Sequence, residues 1–308
     1  MADAAGAAPR RKPVKITKDN VSDLMAQVDA FVLDCDGVIW TPLATGMYPK
    51  AEEALDRLRG AGKKVMFVSN NSFHPPQEKF KLMGYPVSED EVVVPSTVIA
   101  RYLKKRGFEG QALVLASETF KRTLQDQGID VVQRTAEDHP EKIIEFLRLV
   151  GKDAGKVKAV IVDFDLYLTG LDLVKAANYL REDPECLFFA CATECNIPVG
   201  GKICLGPGYW TEIVERASGR KAQWVGKPAP MMVTEFLKDA HQLDMARSIF
   251  VGDSLEQDMG IANNCGMKKL LVLTGMTAIE DLETCDPNLI PDYYIDSVAD
   301  LGRLLPKA

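Results

Sequence analysis

Residues 31–40 read FVLDCDGVIW. Phe31, Val32 and Leu33 make an unbroken apolar run, the pattern of a parallel strand covered on both faces. Two acids, Asp34 and Asp36, stand at its end, and Gly37 follows where the chain has to turn. An unpaired carboxylate buried in such a place costs several kcal/mol. Two of them a dipeptide apart repel one another unless a cation or a reaction uses both. A plain strand end that spills its acids into solvent would read the same way, and the rest of the chain has to decide between the two.

Around this stretch, short β-branched runs alternate with helical segments. AFVLDCDG is followed by PKAEEALDRLRGAG, a helix opened by Pro49 and closed by a Gly-containing turn. KKVMFVSNN is a second strand with a polar end, and the helices PQEKFKLMG and PSTVIARYLKKRG come after it. A second alternation starts near residue 111 with QALVLAS and runs through VKAVIVDFD and CLFFACATE into the Gly/Pro-rich NIPVGGKICLGPGYW. A third block holds AQWVGK, MMVTEFLKDAHQL, SIFVGDS, KKLLVLTG and DYYIDSV. This order predicts an α/β protein with a Rossmann-like parallel-sheet core, built from the first and third blocks, and the middle block as an inserted α/β domain. The expected division is a tail over 1–15, a core over 16–108 and 208–308, and an insertion over 109–207.

The chain has 308 residues, 46% of them hydrophobic and 26% charged, and a formal charge of −7. That length favours two domains. The charge argues against nucleic acid as a partner, since binding a phosphate backbone needs a basic face. No apolar run approaches the roughly 20 residues that span a bilayer. The opening MADAAGAAPRRKPVK lacks the apolar centre of a secretory signal and reads as a solvated tail, with an organelle transit peptide as the second reading of its basic residues. Seven cysteines, an odd number, point to reduced thiols and a cytoplasmic location. Cys191 and Cys195 have no matching Cys/His pair at zinc spacing, and the three histidines, His74, His139 and His241, are scattered.

In open parallel sheets, ligands sit beyond the carboxyl ends of the strands. If the first and third blocks share a sheet, four strand ends converge: Asp34 with Asp36, Ser69 with Asn70 and Asn71, Lys227, and Asp253 with Asp258. Carboxylate oxygens suit a hard cation such as magnesium. A carboxylate can also attack phosphorus, and a second one nearby can move the proton. A lysine, a hydroxyl and a cation can neutralise phosphoryl oxygens. Cys35 reads as a small buried filler, and Trp40 and Trp210 as packing residues.

DCDGVIW, VSNNS, VGKPAP and VGDSLEQD resemble, in order, the four motifs of the haloacid dehalogenase superfamily of aspartate-dependent phosphotransferases. Together with the late PDYYIDSVADL they look like its p-nitrophenylphosphatase branch, which includes phosphoglycolate and pyridoxal phosphate phosphatases and carries a large α/β cap. The resemblance implies Asp34 as nucleophile and metal ligand, and Asp36 as general acid/base with a metal-binding carbonyl. It implies Ser69 and Lys227 as catalytic and phosphate-binding residues, Asn70 and Asn71 lining the substrate, and Asp253 as a further ligand to Mg2+. Gly37 and Asp258 are expected to support the site.

The implied reaction is hydrolysis of a small phosphorylated metabolite, with 2-phosphoglycolate the first expectation and p-nitrophenyl phosphate as a surrogate. Pyridoxal phosphatases carry a histidine in the cap loop, and none lies between His139 and His241, which counts against pyridoxal 5′-phosphate as the substrate. Glu194 stands in ATE where relatives often read ATN, and two readings of it stay open: an acid there disfavours a doubly charged acid substrate, or it points to something else altogether. A phosphoprotein phosphatase ranks below these two metabolite readings, and so does a catalytically silent binding protein that kept the fold. The resemblance also implies a homodimer through the cap.

Overall fold

The structure, a computed structural model, describes residues 11–41, 46–72, 76–85, 87–134, 140–199 and 201–306. His74, His139 and the first ten residues of the expected tail lie outside them. Strands run in chain order as β1 (Val14–Lys15), β2 (Ala30–Leu33), β3 (Lys64–Val68), β4 (Val92–Val93), β5 (Gln111–Leu115), β6 (Asp130–Val131) and β7 (Val157–Val162). They continue as β8 (Leu187–Ala190), β9 (Asn196–Val199), β10 (Lys202–Leu205), β11 (Gln223–Trp224), β12 (Ser248–Gly252), β13 (Lys268–Val272) and β14 (Tyr293–Ile295).

The chain divides into two units. The first takes the described residues of Met1–Ser69, Pro76–Val92 and Lys227–Ala308; the second takes those of Asn70–Pro75 and Val93–Gly226. These limits fall outside the expected 109–207. The helix Pro95–Lys105 packs on the helix Glu118–Asp126 of the second unit. Gln223 and Trp224 likewise pair with Phe189 and Ala190 there.

A seven-stranded sheet in the order β1-β14-β13-β12-β2-β3-β4 forms the first unit's centre. β2 pairs parallel with both β12 and β3, with Phe31 opposite Ile249 and Val65, and Leu33 opposite Val251 and Phe67. Phe31, Val32 and Leu33 are fully buried, each contributing about 1.5–3 kcal/mol. The chain winds outward from β2 through β3 on one side and from β12 through β13 and β14 on the other. The strand order therefore reverses between β2 and β12, and the carboxyl ends that flank this switch point carry Asp34 and Asp253.

Two expectations need correction here. Val14–Lys15 belongs to no tail: it extends the sheet as β1, paired parallel with β14, where Val14 N donates to the Asp292 carbonyl at 3.0 Å and Arg11 bridges the Asp292 carboxylate at 2.5 Å. The run AQWVGK is not a strand of the core sheet. Its two-residue strand β11 pairs with β8 in the second unit, so Lys227 enters the first unit from a connecting loop, not from a core strand.

The second unit holds a five-stranded sheet in the order β11-β8-β7-β5-β6, parallel throughout, and the antiparallel hairpin β9–β10. GPGYW, the end of the Gly/Pro-rich stretch, opens the helix Pro207–Ser218, because Pro207 at its first position has the backbone angle a helix start needs. Trp210 stacks on Phe164 with ring centroids 5.8 Å apart.

Asp163, at the end of β7, is 4% exposed. Burial, with the charge of Glu194 added, pushes its carboxyl up to about 7 against the amide of Phe164. The folded state thus holds this proton more tightly than the unfolded chain, whose aspartates titrate near about 3.9. The stability this proton confers is complete below about pH 4 and lost as pH rises through about 7. Asp163→Asn should therefore stabilise the protein at pH 8 by on the order of a few kcal/mol, and change little at pH 4. Urea unfolding at both pH values measures this, and equal shifts at the two would overturn it.

Candidate active site

Lys227 anchors the site. Its side chain is 1% exposed, and its ammonium lies 2.7 Å from Asp34 Oδ1 and 2.7 Å from Asp258 Oδ1. Burial lowers the affinity of Lys227 for its proton, but the charges of Asp258 and Asp34 outweigh that and hold it well above the usual range. Asp34 leaves β2 with its N–H donating to the Val251 carbonyl of β12 at 2.9 Å, so the two central strands stay paired up to the site.

Asp258 comes from the first turn after β12. Ser254 caps that turn, accepting from Gln257 N at 3.2 Å, and the wide π-type turn Leu255–Met259 carries Asp258 back toward the strand end. Its Oδ2 accepts from the Asp253 and Ser254 amides, each at 3.0 Å. Both oxygens of Asp258 are thus engaged by protein donors: it braces Lys227 and the loop that presents Asp253.

Asp253 is held from the other side. Met276 N donates to its Oδ2 at 2.7 Å. Gly275 passes so close that a Cβ there would run into the Asp253 carboxyl, and Gly37, at φ +83°, would do the same. These two positions need glycine because backbone lies directly against the acid. Thr274 Oγ1 donates to the Gly37 carbonyl at 2.5 Å, tying the loop after β13 to the loop after β2.

Asp34, Asp253 and Asp258 are all buried and offer oxygens within 4.8 Å of one another. Burial, together with repulsion from Asp258 and Asp253, pushes Asp34 well above the ordinary carboxylate range, against the pull of Lys227. Burial and the charge of Asp258 push Asp253 up to about 6. Three carboxylates therefore face one ammonium, a surplus of negative charge that a hard divalent cation with oxygen ligands offsets. The donor set fits magnesium.

Asp36 is half-buried beside this cluster. Its Oδ1 accepts from Trp40 Nε1 at 2.9 Å and from Lys79 Nζ at 3.2 Å. Ser69, 1% exposed, stands at the carboxyl end of β3, the strand next to β2. Asn70 and Asn71 belong to the second unit, and a Cβ on Gly226 would come within 2.8 Å of Asn70 Oδ1. The structure thus gathers Asp34, Lys227, Asp253 and Asp258 into one cluster, with Gly37 packed on it. Cys35 and Trp40 are fully buried core residues.

Over residues 31–130 the sequence matches the haloacid dehalogenase-like hydrolase family, and over 224–301 a second HAD-hydrolase-like family. It is 35% identical over 295 residues to chronophin of Rattus norvegicus, covering 91% of this chain and 88% of that one. It is 33% identical over 305 residues to glycerol-3-phosphate phosphatase of Gallus gallus, covering 94% and 96%. The chain belongs to the haloacid dehalogenase-like phosphatases. A solved 4-nitrophenylphosphatase of Thermotoga maritima has the same fold, with a TM-score of 0.73, 26% identity, and coverage of 91% of this phosphatase and 98% of that chain. Among the described residues of the phosphatase, no helix is long and apolar enough to cross a membrane.

Sequence reading missed Lys79, Gly275 and the Met276 amide as parts of the site. Lys79 is one of two lysines on the short helix Pro76–Leu82, and nothing in its neighbours along the chain marks it. The GMT turn after β13 becomes recognisable only once β13 is known to lie beside β12.

Proposed function

We propose that the protein is a magnesium-dependent phosphomonoesterase that works through an aspartyl-phosphate on Asp34. The observation that carries this reading is the Lys227 ammonium set 2.7 Å from one oxygen of Asp34, inside a buried cluster with Asp253. That contact fixes the Asp34 carboxyl and leaves its other oxygen to attack phosphorus. As the new O–P bond forms and the ester P–O bond breaks, the Asp36 carboxyl gives its proton to the departing oxygen. Asp36 then takes a proton from water, which attacks the acyl phosphate, releases inorganic phosphate and regenerates Asp34.

Lys227 and the Ser69 hydroxyl neutralise and orient phosphoryl oxygens. Magnesium, held by the carboxylates of Asp34 and Asp253 and the carbonyl of Asp36, would supply further positive charge to the phosphoryl group. Seven cysteines, all present as thiols, support a reducing, cytoplasmic location.

The proposed substrates are small aliphatic phosphate monoesters, with 2-phosphoglycolate first. The likeness to a glycerol-3-phosphate phosphatase supports that size class and adds glycerol 3-phosphate beside it. The test is phosphate release in magnesium from 2-phosphoglycolate, glycerol 3-phosphate, pyridoxal 5′-phosphate and p-nitrophenyl phosphate. A kcat/KM at least about tenfold higher for one of the aliphatic esters than for pyridoxal 5′-phosphate supports the reading. The reverse ranking would replace the substrate, and no release from any ester would sink the mechanism.

A further inference from the structure

We propose that Lys79 is a positioning residue for Asp36, acting jointly with the indole N–H of Trp40. The inference rests on the acid–base role given to Asp36 above. Both donors converge on one atom: Trp40 Nε1 lies 2.9 Å and Lys79 Nζ 3.2 Å from Asp36 Oδ1. Two donors on one oxygen fix the plane of a carboxyl group, and with it the direction in which Oδ2 points. A proton-transferring group needs that control, because transfer requires hydrogen-bond distance and alignment to the departing oxygen.

The clamp is rigid for reasons visible in the packing. Trp40 follows Asp36 by four residues in a tight loop closed by Gly37 N donating to the Trp40 carbonyl at 2.6 Å. The indole is fully buried and meets Phe80 edge-on, with centroids 4.8 Å apart, while Phe80 packs on Phe67 at 4.6 Å. Phe80 directly follows Lys79 on the helix Pro76–Leu82, so the packing that pins the indole also fixes the origin of the lysine. The lysine side chain is 12% exposed, and its ammonium sits 5.0 Å from the indole centroid. A solvated surface lysine has neither the burial nor the double engagement.

The sequence of proton transfers supplies a readout that separates positioning from general support. A p-nitrophenolate leaves without needing a proton, whereas the alkoxide of glycerol 3-phosphate needs one as the P–O bond breaks. The parameter kcat/KM covers the steps through that departure. Lys79→Met should lower kcat/KM for glycerol 3-phosphate by about 10–100-fold, a part of what a general acid contributes, and for p-nitrophenyl phosphate by less than about threefold. Lys79→Arg should restore most of the alkyl-ester rate.

Trp40→Phe keeps an aromatic side chain and removes the N–H together with the five-membered ring, so it should show a smaller loss with the same selectivity, even if the methionine variant folds poorly. Equal losses on both esters, or none, would overturn the inference; an equal loss is also what a lysine that binds the phosphoryl group directly would give. Asp36→Asn is the reference. If it is selective and Lys79→Met is not, the positioning inference alone falls. If Asp36→Asn is itself unselective, the acid role of Asp36 falls and takes this inference with it.

Discussion

Lys227→Met should remove activity by on the order of a thousandfold or more and destabilise the protein by about 3–5 kcal/mol. The two effects have one cause. The lysine is 1% exposed and serves two carboxylates at 2.7 Å each. Methionine fills much the same volume, so the loss is electrostatic rather than a cavity. Asp34 and Asp258 are left facing each other and Asp253 with no internal cation, and a buried charge stripped of its partner is costly. Adding Asp258→Asn to Lys227→Met should recover part of the stability, because one of the stranded charges is gone. It should recover none of the turnover, because no ammonium remains to orient Asp34 or the phosphoryl oxygens. Urea unfolding and p-nitrophenyl phosphate hydrolysis read the two effects separately. A single variant that unfolds like the parent would show that the cluster does not hold these charges in the way its geometry implies.

The parts of this site that were legible in the sequence are those where one short segment fixes both the element and its chemistry. A parallel strand covered on both faces must be a continuous apolar run, so FVL followed by two acids announced β2 and its carboxyl end together. SIFVGDS did the same for β12. Lys227 was read as the end of a core strand, AQWVGK, and supported by the family resemblance of VGKPAP, but its place was misjudged. A two-residue strand such as Gln223–Trp224 carries no mark of which sheet it joins, and that choice is made by distant partners, here Phe189 and Ala190. The helix at Pro207 was not read for a related reason: its start lies in a Gly/Pro-rich stretch with no apolar periodicity to mark it, although proline is a good first residue of a helix. Lys79 and Gly275 were invisible because what distinguishes them is proximity to Asp36 and Asp253, contacts made across the sheet and not along the chain.

Asp34→Asn should abolish turnover, by on the order of 10⁴-fold or more for loss of the proposed nucleophile, and yet raise the thermal stability of the metal-free protein. Burial pushes the Asp34 carboxyl well above its ordinary range, and the charges of Asp258 and Asp253 add to the push while Lys227 opposes it. A carboxyl whose folded-state pKa lies above its unfolded value confers stability that is present below the unfolded pKa and lost as pH rises through the folded one. Above the ordinary carboxylate range, folding therefore has to meet the cost of burying Asp34, as a charge or with a proton taken up, and asparagine keeps its shape without that cost. In EDTA at pH 8 the variant should melt a few degrees above the parent, since about 1 kcal/mol moves the midpoint of a protein this large by only a few degrees. Toward pH 4 the difference should shrink.

Saturating magnesium should reverse the sign at pH 8, because an ion that binds the native parent more tightly than the variant stabilises the parent by mass action. Midpoints measured with EDTA and with magnesium at both pH values test all three statements. A variant that melts below its parent in EDTA would mean that the bond to Lys227 outweighs the cost of burying Asp34. Asp34 would then be held by its lysine alone, and magnesium would be needed for the reaction but not to relieve the resting site.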